Sequence, residues 1–489
     1  MRRPHIVFIT TDQQRSDTIH AWDCPYAITP HLDQLVQQGV SFRSAFAPGA
    51  SSSASRGAMF TGMNAHTTGV FSQNVWAQQR TWVEDLAESG YRCVSIGKLG
   101  TAPDIRAPAG FHERIVVENT SSSLAERNQP DDDWGRFLAL HGQQRPNQRH
   151  LSDPNWLKKC QAAAWHLDEQ LHPDVFIANS AVAWITSHSP AEPIFLHIGF
   201  SGPHEPYDPL PRHLDLYKDI QIPAAVFRDN ELDKKPPSHR QHQQSCAERN
   251  SQSKIDLLNA EPGDVAKMRK HYFAKVTTID EKIGDILKAL KEKGFAEDTI
   301  IVVASDHGDM LGDHRMAYAG FMYECVVRVP LIIVDNHPGR TAKKIDHLVS
   351  LIDIGPTILG VAGVQVPPHL EGHSLLPHVR GGQVETEDVA FAEEGNMVMI
   401  RNRRNKMVLY IGESYGELYD LKRDPLELVN LWDDGTLAPV KADLKNRILN
   451  WLLKSNFATA SYKIGRIRRF HRPRPPGGRP GHSGPYRHR

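Results

Sequence analysis

Short apolar runs alternate with longer amphipathic segments along most of the chain. Each apolar run is rich in Val, Ile or Phe, as expected for strands that are buried on both faces. Strands that alternate with helices form a mostly parallel sheet covered by helices on both sides. The pattern therefore predicts an α/β fold with a large, mostly parallel sheet, whose strands include residues 5–10, 91–96, 194–200, 299–304 and 329–334.

The clearest helical pattern covers residues 265–293, and Gly294 follows as a C-terminal cap. Two long polar stretches, at residues 118–159 and 227–264, interrupt the alternation. Loops of this length inside a compact domain usually carry function or are disordered. Because the first stretch contains Trp134 and Trp156, it is interpreted either as a wall of the functional site or as a surface insertion without function.

The pattern changes near Val389, where short strand-like runs appear at residues 397–401, 406–411 and 417–421. An amphipathic segment at 444–453 follows, which predicts a smaller α+β subdomain. Residues beyond Tyr462 are rich in Arg, Pro and Gly and cannot form a core. We therefore predict a large domain at 1–385, a subdomain at 386–460 and a disordered basic tail at 461–489, favouring an inert, solvated tail over one that binds anionic partners.

Composition and charge narrow the class of protein. The 489 residues carry a formal net charge of zero, which gives no support for nucleic-acid binding. No long uncharged apolar run occurs in the sequence. We therefore expect no membrane-spanning helix and no membrane partner. The start of the chain shows no secretory signal, and the five cysteines are scattered rather than paired. Together these features predict a reducing, cytoplasmic setting.

Polar residues suited to chemistry follow four of the predicted strands. Asp12, Lys98 and His204 each come after one strand, and Asp306 and His307 follow a fourth. Because ligands bind beyond the carboxyl ends of strands in an open parallel sheet, we expect these side chains to meet at one edge. A single Asp at such a position is usually a loop residue or a helix cap, but four such strand ends together favour a functional site.

Three of these residues are suited to bind a divalent cation. Asp12, Asp306 and His307 offer oxygen and nitrogen ligands appropriate for Ca, Mg or Mn, and no thiolate indicates zinc. A cation held there would polarise the oxygens of a bound ester and lower the pKa of a hydroxyl attached to it.

A serine-rich segment at residues 52–62 is a second candidate feature. Ser52 precedes a short helix-forming run, and Arg56 follows one turn later. A helix N-terminus and a guanidinium group both stabilise negative charge. On composition alone, however, a serine-rich helix cap is the better interpretation, and spacing does not identify which serine is reactive.

Several segments, taken in order, resemble the sulfatase family of the alkaline-phosphatase-like superfamily. Residues 52–62 resemble the sulfatase signature, in which Cys or Ser is followed by any residue, Pro or Ala, Ser and Arg. The remaining matches are 9–15 with the opening strand, 199–207 with the substrate-histidine segment, 305–314 with the second metal segment and 416–421 with the C-terminal subdomain. Each motif is modest alone, but the ordered set is specific and implies an alkaline-phosphatase-like α/β fold with a C-terminal α+β subdomain.

The resemblance also implies roles for individual residues. Ser52 would be converted by a separate formylglycine-generating enzyme into formylglycine, whose hydrated form is the nucleophile. Arg56 and Lys98 would hold the oxygens of the nucleophile and the developing charge. His204 would contact the sulfate or protonate the leaving oxygen. One divalent cation, with calcium favoured over Mn or Mg, would be bound by Asp12, Ser52, Asp306 and His307.

The sequence departs from the family pattern at three positions. Gln13 replaces a second Asp, Gly100 stands where a His is usual, and Ala319 stands where a catalytic Lys is usual. Losing a leaving-group acid and a sulfate-binding cation would each cost about 2–4 kcal/mol of transition-state stabilisation. Either His314 or Arg315 substitutes for them, or activity is weak or redirected.

Three functions are therefore considered. The favoured one is a metal-dependent sulfuric ester hydrolase acting on small-molecule or carbohydrate sulfate esters. A phosphonate monoester or phosphodiester hydrolase is the second, because Gln13 and His307 would also suit it. The third is a catalytically degenerate binding protein that keeps the fold and the cation, and it is motivated by Gly100 and Ala319.

Overall fold

The architecture is that of a computed structural model, which describes residues 3–71, 76–118, 132–146, 160–247, 255–336, 342–382 and 387–464. The strands are β1 (His5–Asp12), β2 (Val40–Phe42), β3 (Ala45–Phe46), β4 (Arg92–Gly97), β5 (Glu113–Val116), β6 (Ile194–Pro203), β7 (Thr299–Ser305), β8 (Arg328–Val329), β9 (Leu331–Asp335), β10 (Lys343–Ile345), β11 (Val349–Ser350), β12 (Val389–Glu394), β13 (Met397–Asn402), β14 (Asn405–Tyr410) and β15 (Gly416–Asp420). The α-helices are α1 (Pro30–Gln38), α2 (Ser52–Thr61), α3 (Ala65–Thr68), α4 (Trp82–Glu88), α5 (Asp133–Leu140), α6 (Pro173–Ser187), α7 (Pro211–Leu216), α8 (Pro237–Ala247), α9 (Pro262–Glu292), α10 (Glu324–Val327), α11 (Ile354–Val361), α12 (Leu376–Val379) and α13 (Ala438–Ala458).

The main sheet of the described residues has eight strands in the order β10-β2-β9-β7-β1-β6-β4-β5. Strand β1 runs parallel to both β6 and β7, and β4 runs parallel to β5 and β6. Strand β9 is antiparallel to its neighbours β2 and β7. The predicted large, mostly parallel sheet is therefore confirmed.

The alternation of side chains along β1 explains its central place in the sheet. Ile6 and Phe8 belong to a hydrophobic cluster on one face, and Val7 and Ile9 belong to a second cluster on the other face. Every residue of this strand is buried. A strand covered on both faces by helices needs this continuous apolar sequence.

One of the predicted strands is divided in two. Val329 belongs to β8, which pairs with β3 in a small sheet, whereas β9 starts at Leu331 in the main sheet. Pro330 lies between them, and a proline lacks the N–H group that a ladder of backbone hydrogen bonds requires. The prediction of one strand over 329–334 is correct only for its second part.

The long helix α9 confirms the helical pattern predicted at 265–293. It begins at Pro262, whose missing N–H is not needed in a first helical turn. Gly294, just beyond its end, has φ of +81°, the left-handed conformation that often terminates helices. The apolar side of this helix packs on the sheet and on α6.

The C-terminal part forms the predicted α+β subdomain. Its antiparallel sheet has the order β12-β13-β14-β15, and Leu444 and Ile448 of α13 pack against Ile400 and Leu418 of that sheet. The sequence pattern missed β12 and underestimated the length of α13. The domain boundaries themselves remain predictions. Helical residues continue to 464, where Tyr462 stacks on His369 with ring centroids 4.7 Å apart, and the remainder of the predicted tail lies outside the described residues.

The two polar stretches are more structured than expected. Trp134 in α5 is only 2% exposed and donates its indole hydrogen to the Leu171 carbonyl, so it belongs to the core and not to a wall of the site. Trp156 lies outside the described residues. The second stretch contains helix α8. Within the described ranges, no helix is both long enough and apolar enough to cross a membrane.

Candidate active site

The carboxyl ends of four neighbouring strands carry the polar residues singled out in the sequence. Strands β7, β1, β6 and β4 are adjacent in the sheet, and β1 itself ends in Asp12. Lys98 follows β4, His204 follows β6 and Asp306 follows β7. The predicted convergence at one sheet edge is therefore observed.

Ser52 faces this edge from the first turn of α2. Ser51 caps the helix in an extended conformation, and its side chain accepts the Ala54 N–H. Ser52 Oγ lies 3.2 Å from Asp12 Oδ1 and 3.0 Å from His307 Nε2, so that its single proton can serve one of these acceptors. Ser52 remains partly exposed, whereas Asp12 and His307 are buried. The structure thus singles out Ser52 in the serine-rich segment.

Asp12, Asp306 and His307 form a compact cluster whose potential ligand atoms all lie within 4.8 Å of one another. Asp306 Oδ1 accepts the backbone N–H groups of Gln13 and His307, at 3.0 and 2.8 Å. The Nδ1–H of His307 donates to the Gly308 carbonyl at 2.8 Å, which leaves Nε2 as the atom that faces the cluster. Two buried carboxylates and one imidazole nitrogen fit a hard divalent cation.

Two positively charged side chains balance the negative charge of Asp12 and Asp306. Lys98 Nζ pairs with Asp12 Oδ2, and Arg56 Nε donates to Asp306 Oδ2 at 2.8 Å. Burial alone would raise the pKa of Asp12, but Lys98 and the neighbouring His204 and Arg56 hold it well below its usual value. Arg56 is fully buried, and its Nη2 has no hydrogen-bond partner within the described part of the chain. A free guanidinium nitrogen beside the cluster is suited to an oxyanion.

His204 lies next to Asp12, just beyond the end of β6. Its backbone N–H donates to the Asp12 carbonyl at 3.1 Å, which fixes the segment after β6 against the end of β1. The ring Nδ1–H donates to the Glu205 carbonyl at 2.7 Å, so Nε2 is the nitrogen left to meet a substrate. Burial raises the pKa of Glu205, whose carboxyl group lies 3.2 Å from the same Nδ1.

Comparison with known protein families identifies the family to which this chain belongs. The model of the sulfatase family matches residues 4–364, a range that includes the whole cluster. The chain belongs to the sulfatase family. A second model, described as the C-terminal region of N-sulphoglucosamine sulphohydrolase, matches residues 312–454. The resemblance found in the ordered motifs is confirmed, and the protein is an enzyme of the sulfatase type.

Individual relatives agree with this assignment. The sulfatase is 28% identical over 452 residues to an arylsulfatase of Clostridium perfringens, covering 88% of this chain and 90% of the relative. A phosphonate monoester hydrolase of Agrobacterium radiobacter has a similar structure, with a TM-score of 0.77, 25% identity and coverage of 93% and 96%. A protein solved in complex with its substrate D-glucosamine-2-N,6-O-disulfate has a TM-score of 0.70 at 20% identity, covering 93% and 98%.

Gly100 is built into the site of this sulfatase. It has φ of +81°, and a Cβ atom added there would lie 2.7 Å from Arg56 Cδ. Its N–H donates to Glu118 Oε1 at 2.9 Å, and the N–H of Leu99 donates to the same oxygen at 3.0 Å. A histidine at position 100 is therefore incompatible with the observed place of Arg56.

The two residues considered as substitutes for the missing lysine are engaged elsewhere. His314 Nδ1 contacts Glu231 Oε1 at 2.9 Å, and its ring stacks on Tyr323 with centroids 4.0 Å apart. Arg315 is exposed and packs over the ring of Phe227. The structure therefore gives no support to either substitution.

Sequence reasoning missed part of the surrounding network. The Gln13 side chain donates to Asp309 Oδ2 at 2.7 Å, and the Tyr207 hydroxyl donates to the same oxygen at 2.7 Å. Asp309 lies within residues 305–314, which resemble the second metal segment of the family, so the sequence did indicate that it lies near the site. Glu118 accepts the N–H groups of Leu99 and Gly100, and Glu394 accepts the Ser51 hydroxyl, but both carboxylates lie outside the segments that resemble the family.

Proposed function

We propose that this sulfatase hydrolyses sulfate monoesters with a formylglycine made from Ser52 and one bound divalent cation. The observation that supports this most directly is the place of Ser52, whose Oγ contacts both Asp12 and His307. A residue at this point can reach the cation ligands and a substrate at the sheet edge together. The partial exposure of Ser52, Lys98 and His204 gives the substrate access to them.

The cation would be held by Asp12, Asp306, His307 and the residue at position 52. The first two supply carboxylate oxygens and His307 supplies Nε2, which favours calcium, with Mn or Mg as alternatives. When bound, such an ion polarises the nonbridging oxygens of the ester and supports the ionised form of the nucleophile. The burial of two carboxylates within one cluster is the feature of this chain that fits the ion.

Hydrated formylglycine supplies two hydroxyls on one carbon, one to attack sulfur and one whose deprotonation restores the aldehyde and expels sulfate. Arg56 Nη2 and Lys98 Nζ would stabilise the oxygens that gain charge as the ester bond breaks. The Nε2 of His204 would contact the sulfate or deliver a proton to the leaving oxygen. Overall, one ester and one water give one alcohol and one sulfate.

The substrate class is a small-molecule or carbohydrate sulfate ester. The structural similarity to a protein that binds a disulfated glucosamine supports the carbohydrate form. Conversion of Ser52 requires a formylglycine-generating enzyme that accepts serine, which is therefore the expected maturation partner.

Phosphonate monoester or phosphodiester hydrolysis is the alternative within the same fold. It is favoured by the similarity to a phosphonate monoester hydrolase and by Gln13 and His307, which would also suit it. Gly100 and Ala319, which stand where the family usually has His and Lys, instead favour the third function, a binding protein without turnover.

Turnover of two aryl esters separates these functions. Wild-type enzyme matured in its host would be assayed with 4-nitrophenyl sulfate and with the monoester 4-nitrophenyl phenylphosphonate, beside the Asp306→Ala variant. We expect a higher kcat/KM for the sulfate, and loss of both activities in the variant. A higher kcat/KM for the phosphonate would favour the alternative. Tight binding of sulfated ligands without any turnover would instead support the binding protein.

A further inference from the structure

The C-terminal subdomain touches the loop that carries Ser52. Glu394, the last residue of β12, is 6% exposed. Its Oε1 accepts the Ser51 hydroxyl at 2.9 Å, and its Oε2 accepts the Ala50 N–H at 3.1 Å. Both oxygens of one carboxyl group thus bind the two residues that directly precede Ser52.

Further backbone contacts hold the same region. The Glu393 N–H donates to the Pro48 carbonyl at 3.0 Å. In the loop that follows residues 305–314, the Gly320 N–H donates to the Ala50 carbonyl at 2.7 Å. The segment before α2 is therefore bound by β12 and by the loop that follows the second metal motif.

We propose that Glu394 is a positioning residue, which orients the nucleophile at position 52 by holding Ser51 and Ala50. The inference rests on the proposed role of Ser52. Ser51 is the N-cap of α2 with φ of −137° and ψ of 158°, so its backbone sets the direction in which Ser52 enters the helix. A displacement of about 1 Å in a reacting group can cost about 10²-fold in rate.

Two substitutions separate the contribution of the shape of the Glu394 side chain from that of its charge. Burial raises the pKa of Glu394 to about 7, because desolvation disfavours the charged carboxylate. In Glu394→Gln, the amide oxygen can still accept the Ala50 N–H, and the amide nitrogen can donate to a rotated Ser51 hydroxyl. In Glu394→Ala both contacts are lost.

Glu371 provides a matched control at the other end of α2. It is also a carboxylate, its Oε2 accepts the Asn64 N–H at 2.8 Å, and its Oε1 accepts the Ser455 hydroxyl of α13. Replacing it removes a contact between the two parts of the molecule without touching the residues before Ser52. Glu371→Ala therefore reports what a loss of stability alone does to activity.

The test compares kcat, KM and melting temperature for the wild type and the three variants, normalised to the fraction of formylglycine. We expect Glu394→Ala to lower kcat by about tenfold or more with KM changed less than about threefold. Glu394→Gln should retain kcat within about threefold, and Glu371→Ala should lower the melting temperature without lowering kcat. A kcat in Glu394→Ala equal to that of Glu371→Ala would overturn the inference.

Amide hydrogen exchange of residues 50–52 tests the same inference without turnover. We expect at least about tenfold faster exchange there in Glu394→Ala than in Glu371→Ala. Equal exchange in the two variants would overturn the role of Glu394 even if the wild type hydrolyses sulfate. A wild type that fails to hydrolyse sulfate speaks against the proposed function, whereas the exchange result still decides whether Glu394 holds this segment.

Discussion

Ser52 Oγ lies 3.0 Å from Nε2 of His307, although 255 positions separate the two residues in the chain. His307 can present this nitrogen because its Nδ1–H donates to the Gly308 carbonyl. The contact joins the first turn of α2 to the end of β7. It makes one small site out of the serine segment and the metal motif, which the sequence shows only as separate features.

Replacing Asp306 by Asn is expected to abolish most activity. Asp306 is fully buried, accepts two backbone N–H groups and pairs with Arg56, so the variant keeps the shape of the side chain but loses its charge. We expect kcat/KM for an aryl sulfate to fall by at least about 10²-fold. Asp443→Asn on the exposed side of α13 is the control and should retain full activity. Full activity in Asp306→Asn would argue against its role as a cation ligand.

Removal of divalent cations is expected to inactivate the enzyme reversibly. The cluster of Asp12, Asp306 and His307 supplies the ligands, and calcium suits their oxygen-rich set best. After chelation and dialysis, calcium should restore at least as much aryl sulfatase activity as Mn or Mg. Activity that survives exhaustive chelation, with metal analysis showing less than about 0.05 ion per chain, would contradict metal dependence.

Introducing the family's usual histidine at position 100 is expected to impair the enzyme. A Cβ atom at Gly100 would lie 2.7 Å from Arg56 Cδ, so the guanidinium group must move. We predict that Gly100→His lowers kcat by about tenfold or more. Gly90 also has positive φ, at +99°, but has open space where a Cβ would be added. Gly90→His should therefore lower stability without the loss of kcat, and higher activity in Gly100→His would refute this account of position 100.

The stability of the protein is expected to depend on pH through Asp280. This residue of α9 accepts the N–H groups of Leu32 and His31 at the start of α1, and burial raises its pKa to about 7. The native state therefore binds a proton that the unfolded chain, with a pKa near 3.9, releases earlier. This contribution is complete below about pH 4 and is lost as pH rises through about 7.

Asp280→Asn removes that dependence while keeping one acceptor for the backbone. Relative to the wild type, the variant should become more stable as pH rises from 5 to 8, by up to roughly 3 kcal/mol. Urea unfolding at both pH values measures the difference, in which the titration of other groups cancels. A stability difference that does not change with pH would show that Asp280 titrates normally.

The sequence was most informative where strands end. The residues Asp12, Lys98, His204 and Asp306 could be placed at one edge because parallel strands align their carboxyl ends. It was least informative where contacts join distant segments. Nothing near Glu394 in the chain indicates that it binds Ser51, 343 positions away.

Local chemistry also failed to predict two details. Trp134 lies in a stretch that is polar in sequence, yet its side chain is buried. Its indole N–H donates to the Leu171 carbonyl, and its ring packs in the hydrophobic core. Gly100 was interpreted as a missing histidine, whereas the structure shows a position that Arg56 requires to be free of a side chain. Both depend on neighbours that only the folded chain brings together.

The most direct test of the account is the mass of the tryptic peptide 44–56 from the protein purified from its native host. Arg43 and Arg56 bound this peptide, so it isolates Ser52. We predict a peptide about two mass units lighter than the unmodified sequence, from the loss of two hydrogens on oxidation of the alcohol to an aldehyde, with fragmentation locating the change at Ser52. An unmodified Ser52 in an enzyme that turns over sulfate esters would contradict the formylglycine mechanism.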